Sequence, residues 1–190
     1  MSRPKTYNKE DVCLKAMFLF RKYGYEGTTL SRLVEHTGIN RHSLYGEFGG
    51  KSKLFISAME LYTSHMVEVR FEILKKAPLG LENIHNFFLR LIKECTEDGC
   101  LTNNTIIEKN IAPIEAVNIA KNTQTKLEKL ITNNLKTAQQ CNEISANKNL
   151  VDISKLMVVS FNGLYASGKV YQSTKYMQQA VNALFALLEK

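Results

Sequence analysis

Between Thr28 and Phe55 the chain reads TTLSRLVEHTGINRHSLYGEFGGKSKLF, two short runs of helical periodicity separated by one glycine. In the first, Leu30, Leu33 and Val34 fall at i, i+3 and i+4, so their side chains share one face of an α-helix. Thr28 or Thr29 is placed to cap that helix by accepting a backbone N–H. The run stops at Thr37-Gly38, where glycine can take the left-handed conformation that turns a chain steeply from one helix into the next. Ile39 then packs back, and Asn40 is a suitable cap for the following helix.

In that second helix Leu44 and Phe48 must face the same way. At about 100° per residue the opposite face is therefore centred on His42 and Gly46, with Ser43 and Tyr45 beside it and Arg41 near the N-terminus. A face of His, Ser, Tyr and Gly offers donors, acceptors and one bare spot where a groove wall can approach. Two short helices around a glycine turn form the layout of a helix-turn-helix DNA reader, whose second helix meets base edges with its first turn. An earlier helix, capped by Asn8 and striped by Val12, Ala16, Leu19, Phe20 and Tyr23, is expected to complete a three-helix unit. Charge follows the same division. Residues 1–56 carry ten Lys/Arg against five Asp/Glu, and residues 57–190 carry fifteen against thirteen, so the basic excess lies at the end that would face phosphates. Arg3 and Lys5 extend it as an N-terminal arm able to reach a phosphate or the minor groove.

The rest of the chain reads as helical, because only three prolines occur and strand-like alternation is absent. Helices are expected from Lys51 to about Lys76 and near 82–97, 102–111, 114–140, 150–170 and 174–189, giving an all-α protein of about nine helices. No window approaches the roughly 20 apolar residues of a membrane span, and no secretory layout opens the chain, so a cytoplasmic protein without a membrane partner is expected. Cys13, Cys95, Cys100 and Cys141 show no metal-ligand or disulfide spacing. His65 and His85 have no recognisable ligand partners, so no metal site is read, and His36 is read as a surface or capping residue. Motifs such as GxSxG, HExxH, a phosphate loop or a dinucleotide fingerprint are missing, and we read the chain as a non-enzyme without a cofactor.

Residues 8–62 resemble the Tet repressor (TetR) family of bacterial one-component transcription regulators. The resemblance is carried by Ala16, Phe18, Phe20, Gly24-Tyr25-Glu26-Gly27-Thr28-Thr29, Thr37-Gly38-Ile39, Ser43-Leu44-Tyr45, Phe48, Lys51 and Leu54-Phe55. It implies phosphate contacts from Tyr45 and Lys51 and base readout from Asn40, Arg41, His42 and Ser43, with Thr28 and Thr29 also on the DNA side. Many members have Tyr-Tyr-His-Phe where this chain has Tyr45-Gly46-Glu47-Phe48, so no inherited contact is assigned to Gly46 or Glu47.

The resemblance further implies a DNA-binding domain at 1–50 and a helical ligand-binding and dimerisation domain at 51–190, joined by helix 51–77. A homodimer through 150–189 would bind a pseudo-palindromic double-stranded DNA operator and leave it when a small-molecule effector binds. Candidate effector contacts are Met66, Phe87, Leu91, Cys100, Asn103, Phe161, Asn162 and Tyr165. The segment Gly99-Cys100-Leu101 also resembles a subgroup of which some members use that cysteine to sense oxidants or electrophiles, since a helix N-terminus stabilises a thiolate. A helical adaptor that does not bind DNA is the remaining alternative, and it predicts no salt-sensitive duplex affinity.

Overall fold

The computed structural model describes residues 7–94 and 98–188. Arg3, Lys5 and Cys95 lie outside the described residues. Among those described there is no strand; the elements are α1 (Lys9–Tyr23), α2 (Leu30–Thr37), α3 (Arg41–Phe48), α4 (Lys51–Tyr62), a π-helical turn (Thr63–Val67), α5 (Glu68–Lys75), α6 (Leu81–Glu94), α7 (Leu101–Ile107), α8 (Ile114–Gln140), α9 (Leu150–Tyr171) and α10 (Thr174–Ala186). Since α4, the π turn and α5 follow without interruption, these make nine helical rods, as the periodicity predicts.

Capping chemistry decides where the early helices begin and end. Asn8 accepts from Glu10 N at 2.8 Å, Thr29 from Arg32 N at 3.2 Å and Asn40 from Ser43 N at 2.8 Å, each satisfying a first-turn N–H that the helix cannot pair. Gly38 and Gly49 close α2 and α3 in the left-handed conformation.

The chain forms two compact units. One takes in the described residues up to His65 together with Cys100–Lys121; the other takes in Met66 to Gly99 together with the described residues from Asn122 onward. In the first unit Val12, Ala16, Phe20, Leu33, Ile39, Leu44, Leu54, Phe55 and Ala58 are fully buried. Phe20 meets Phe55 edge-on at 4.7 Å between centroids, and Tyr25 lies 4.9 Å from Phe55. This aromatic knot ties α1 to α4 and leaves α2 and α3 to pack across it. Tyr23 departs from the expected stripe: its ring is 40% exposed and lies under the Arg32 guanidinium at 4.1 Å, a cation–π contact that favours the surface over the core.

Three boundaries differ from the periodicity. The helix expected at 102–111 ends at Ile107, and residues 108–111 form turns ahead of Pro113. The rod expected from Lys51 widens at Thr63–Val67 into a π turn. There the Thr63 hydroxyl donates to the Met59 and Glu60 carbonyls and the Ser64 hydroxyl to those of Glu60 and Leu61, competing with the regular ladder. The helix expected at 174–189 ends at Ala186.

In the second unit α6 is the central rod, with Ile84, Phe87, Phe88, Leu91 and Ile92 buried among α5, α9 and α10. Asn134 of α8 is fully buried and holds the turn before α6: its amide donates to Leu74 O at 2.7 Å and its oxygen accepts from Gly80 N at 3.1 Å and Asn83 Nδ2 at 3.2 Å. Glu143 adds a cap by accepting from Leu81 N at 3.0 Å. On α9, Met157, Phe161, Leu164 and Tyr165 face inward, while Leu156, Val159 and Val170 lie exposed at helical spacing on another side. Tyr176 of α10 and Leu187 just after it are exposed as well.

Candidate nucleic-acid interface

The reader helix α3 is fixed by its buried side. Leu44 is fully buried and Phe48 nearly so, which turns Arg41, His42, Tyr45 and Gly46 to the surface and leaves Ser43 half-buried. Beyond the adjacent residues and the backbone of α3 itself, no heavy atom lies within 4 Å of where a Cβ on Gly46 would stand, so the bare spot is open. Asn40 is exposed, with its oxygen engaged as the helix cap.

Two successive glycines set the grip beside it. Gly49 and Gly50 have φ of 72° and 104°, a turn that side chains resist, and it delivers the chain into α4 directly under Tyr45. The Tyr45 ring lies 3.1 Å from where a Cβ on Gly50 would stand, so glycine makes room for the ring while leaving it 49% exposed. The N-terminus of α4 has no side-chain cap. Its first N–H groups and the positive end of its dipole therefore suit an anion, and Lys51 opens that first turn, one residue after the Gly50 that packs under Tyr45.

Lys51 is positioned from the other side by Tyr25, which in the sequence stands out only as one of the family-resembling residues. Its ammonium lies 4.4 Å from the centroid of the Tyr25 ring, and the Tyr25 hydroxyl shares a 2.7 Å hydrogen bond with Ser52 Oγ. Partial burial pushes the Lys51 ammonium below the ordinary lysine value, while the carboxylates of Glu108 and then Glu26 pull it back up.

Thr28 is a correction to the expected DNA side. It is fully buried, and its hydroxyl donates to Gly24 O at 2.7 Å and Leu19 O at 3.4 Å, so it braces the α1–α2 turn from inside. Thr29 is exposed and caps α2.

The effector candidates divide between the two units. In the second, Phe87 stacks on Phe161 at 5.7 Å, Phe161 meets Tyr165 edge-on at 5.2 Å, and Asn162 accepts from Gln124 Nε2 at 2.9 Å. Leu91 is fully buried and Met66 half-buried in the same unit. The Tyr165 hydroxyl accepts from Arg70, a buried guanidinium that also donates to Met66 O at 3.1 Å and pairs with Glu94 at 3.1 Å; the sequence reading did not single it out. Cys100 and Asn103 belong to the first unit, where the Tyr62 hydroxyl lies 3.5 Å and the Thr102 hydroxyl 3.0 Å from the Cys100 sulfur. His85 packs against the Phe185 ring at 5.0 Å, and His36 and His65 are exposed. Among the described residues no group of three metal-ligating side chains converges, and no helix is long and apolar enough to cross a membrane.

A three-helix unit that exposes a polar reader helix beside an uncapped, lysine-bearing helix N-terminus defines a helix-turn-helix protein. The family model described as bacterial regulatory proteins of the tetR family matches residues 15–58, and that described as a tetracyclin repressor-like C-terminal domain matches residues 80–184. The chain belongs to the TetR family of transcriptional regulators. It is 24% identical to the HTH-type transcriptional repressor ComR of Escherichia coli K12 over 97% of this chain and 90% of the relative. It is 45% identical to the uncharacterized HTH-type regulator YezE of Bacillus subtilis over 33% of this chain, a match spanning only 32% of that protein. Among solved structures, a cysteine mutant of the TetR-family regulator CifR complexed with double-strand operator DNA superposes with a TM-score of 0.83 at 21% identity, covering 98% of this chain and 100% of the other.

Proposed function

We propose that this regulator is a ligand-responsive repressor that binds a pseudo-palindromic operator as a homodimer. The observation that carries the reading is the juxtaposition at the end of α3. Arg41 and His42 stand exposed on a helix locked by Leu44, and Tyr45 and Lys51 flank the uncapped N-terminus of α4. Asn40, Arg41, His42 and Ser43 read base edges; Tyr45 and Lys51 hold the backbone, with Thr29 at the edge of the contact.

In this reading residues 1–50 are the DNA-binding domain and 51–190 the effector and dimerisation domain, with helix 51–77 between them. The homodimer forms through 150–189, where the exposed Leu156, Val159, Val170, Tyr176 and Leu187 supply an apolar face for a second copy. A two-fold pair then places two reader helices in successive major grooves about 34 Å apart. The effector enters among Met66, Phe87, Leu91, Phe161, Asn162 and Tyr165, and it works only through a preference for the conformation that does not fit DNA. The protein acts in the cytoplasm, without catalysis or a cofactor.

The test is duplex binding across a salt series. A reader neutralising several phosphates loses affinity steeply and linearly in log–log form as salt rises. A flat response would favour the helical adaptor that does not bind DNA.

A second reading has one observation behind it. Cys100 sits at the start of α7 with the Tyr62 hydroxyl 3.5 Å and the Thr102 hydroxyl 3.0 Å from its sulfur, a polar seat that suits an oxidant- or electrophile-responsive switch. Under this reading Cys100 and the neighbouring Asn103 form the responsive element, and a thiol-directed electrophile releases DNA from the wild type but not from Cys100→Ser.

A further inference from the structure

Glu108 ends the seven-residue helix α7 and reaches into the turn between α1 and α2. Its carboxylate accepts the backbone N–H of Tyr25 at 2.6 Å and that of Glu26 at 3.3 Å. It can do so because residue 24 has no side chain: Gly24 has a φ of 74°, and a Cβ there would stand 2.6 Å from Glu108 Oε1. One helical turn earlier on α7, Asn104 donates its amide to Arg21 O at 2.8 Å. So α7 holds the chain on both sides of Gly24, within the same compact unit.

What that turn controls is the residue it delivers. Tyr25 leaves the Glu108 carboxylate with its ring against Phe55 and beneath the Lys51 ammonium, and its hydroxyl is tied to Ser52. An acidic side chain is otherwise unwelcome near a phosphate-facing surface, since by charge alone it repels DNA and adds to Glu26 beside it. Its place here makes sense if geometry outweighs repulsion. A carboxylate accepting two backbone N–H groups makes charge-assisted bonds, which fix position better than neutral ones.

We propose that Glu108 is a positioning residue for the backbone grip: by holding Tyr25 it sets Lys51 and the N-terminus of α4 where a DNA phosphate is met. The proposal rests on the reading of Lys51 as a phosphate contact. It gives a sign opposite to simple electrostatics, because removing the carboxylate weakens DNA binding, whereas loss of a repulsive charge would strengthen it.

The experiment uses the full chain and a short duplex recovered by the wild-type protein from a random-sequence pool. Affinities are measured for wild type, Glu108→Ala, Glu108→Gln, Lys51→Ala and the Glu108→Ala/Lys51→Ala pair, with the folded fraction of each followed by circular dichroism. We expect Glu108→Ala to lose about tenfold in affinity, the scale of a lost charge-assisted hydrogen bond. Glu108→Gln, which keeps one acceptor oxygen and the side-chain volume, should lose less. In the Lys51→Ala background, removing Glu108 should change affinity by less than about twofold, because the residue through which it acts is gone. Tighter or unchanged binding by Glu108→Ala, or an equal loss in both backgrounds, overturns the proposal. If Glu108→Ala does not fold, unchanged binding by folded Glu108→Gln overturns it instead, and a loss that vanishes in Glu108→Gln/Lys51→Ala supports it. Should Lys51→Ala bind as well as wild type, the phosphate assignment fails, and the proposal falls with it for that separate reason.

Discussion

The side-chain oxygen of Asn40 accepts the backbone N–H of Ser43 at 2.8 Å, so a residue assigned to base edges also caps the helix that carries the others. The two roles separate by substitution. Asn40→Ala should lower unfolding stability by about 1 kcal/mol and weaken binding to every duplex, because the reader helix frays at its first turn. Asn40→Asp keeps the cap and should hold the urea midpoint near that of the wild type while still changing DNA affinity.

Arg41 and His42 are both exposed in the first turn of α3. Replacing either with alanine should alter which sequences are recovered from a random pool, since one good base contact discriminates by about 1–3 kcal/mol. Unchanged preference in both variants would show that the base-reading residues lie elsewhere.

Tyr45→Phe and Lys51→Ala should instead weaken all sequences together, and Lys51→Ala should reduce the salt slope by about 1. Lys51 also gives a pH signature. Burial, its main perturbation, lowers its pKa, so it loses its charge at lower pH than an ordinary lysine. The charged form is thus disfavoured in the fold, and stability gains slightly as pH rises through the lowered value. DNA affinity should fall across that same window, measured by fluorescence anisotropy. Lys51→Arg, which stays charged, should remove the fall.

Much of this was legible in the sequence because the informative residues act locally. Asn8, Thr29 and Asn40 are caps recognisable by type and position, and Leu33, Leu44 and Phe48 reveal the buried side of each helix by spacing alone. Thr28 was misplaced because its neighbour Thr29 is equally suited to cap; only the packed turn shows that the Thr28 hydroxyl faces Gly24 O and Leu19 O. Glu108 could not be found from local pattern, because its partners Tyr25 and Glu26 are 83 and 82 residues away. Arg70 escaped for the same reason: a charged residue on a helix reads as solvated until Tyr165 and Glu94 are seen to enclose it.

Asn134 provides a stability prediction independent of DNA. It is fully buried and serves Leu74 O, Gly80 N and Asn83 together, so Asn134→Ala strands buried polar groups. The expected loss is about 2–4 kcal/mol, read from urea unfolding.

Thiol labelling bears on the Cys100 reading. Cys141 is exposed and Cys100 is 1% exposed, while burial and then the Glu60 carboxylate push the half-buried Cys13 thiol up. In variants keeping one of these three cysteines, Cys141 should be alkylated fastest, because reactivity follows the accessible thiolate. If Cys100 reacts as fast as Cys141, its pocket opens in solution and the sensor reading gains directly.

The central claim is that α3 reads sequence on behalf of a two-fold dimer. Selection by the purified full chain from a random-sequence duplex pool tests it most directly. We predict enrichment of an inverted repeat whose half-sites lie about one helical turn apart, with affinity falling steeply as salt rises. A pool that stays random after repeated rounds, with affinity indifferent to salt, would contradict it.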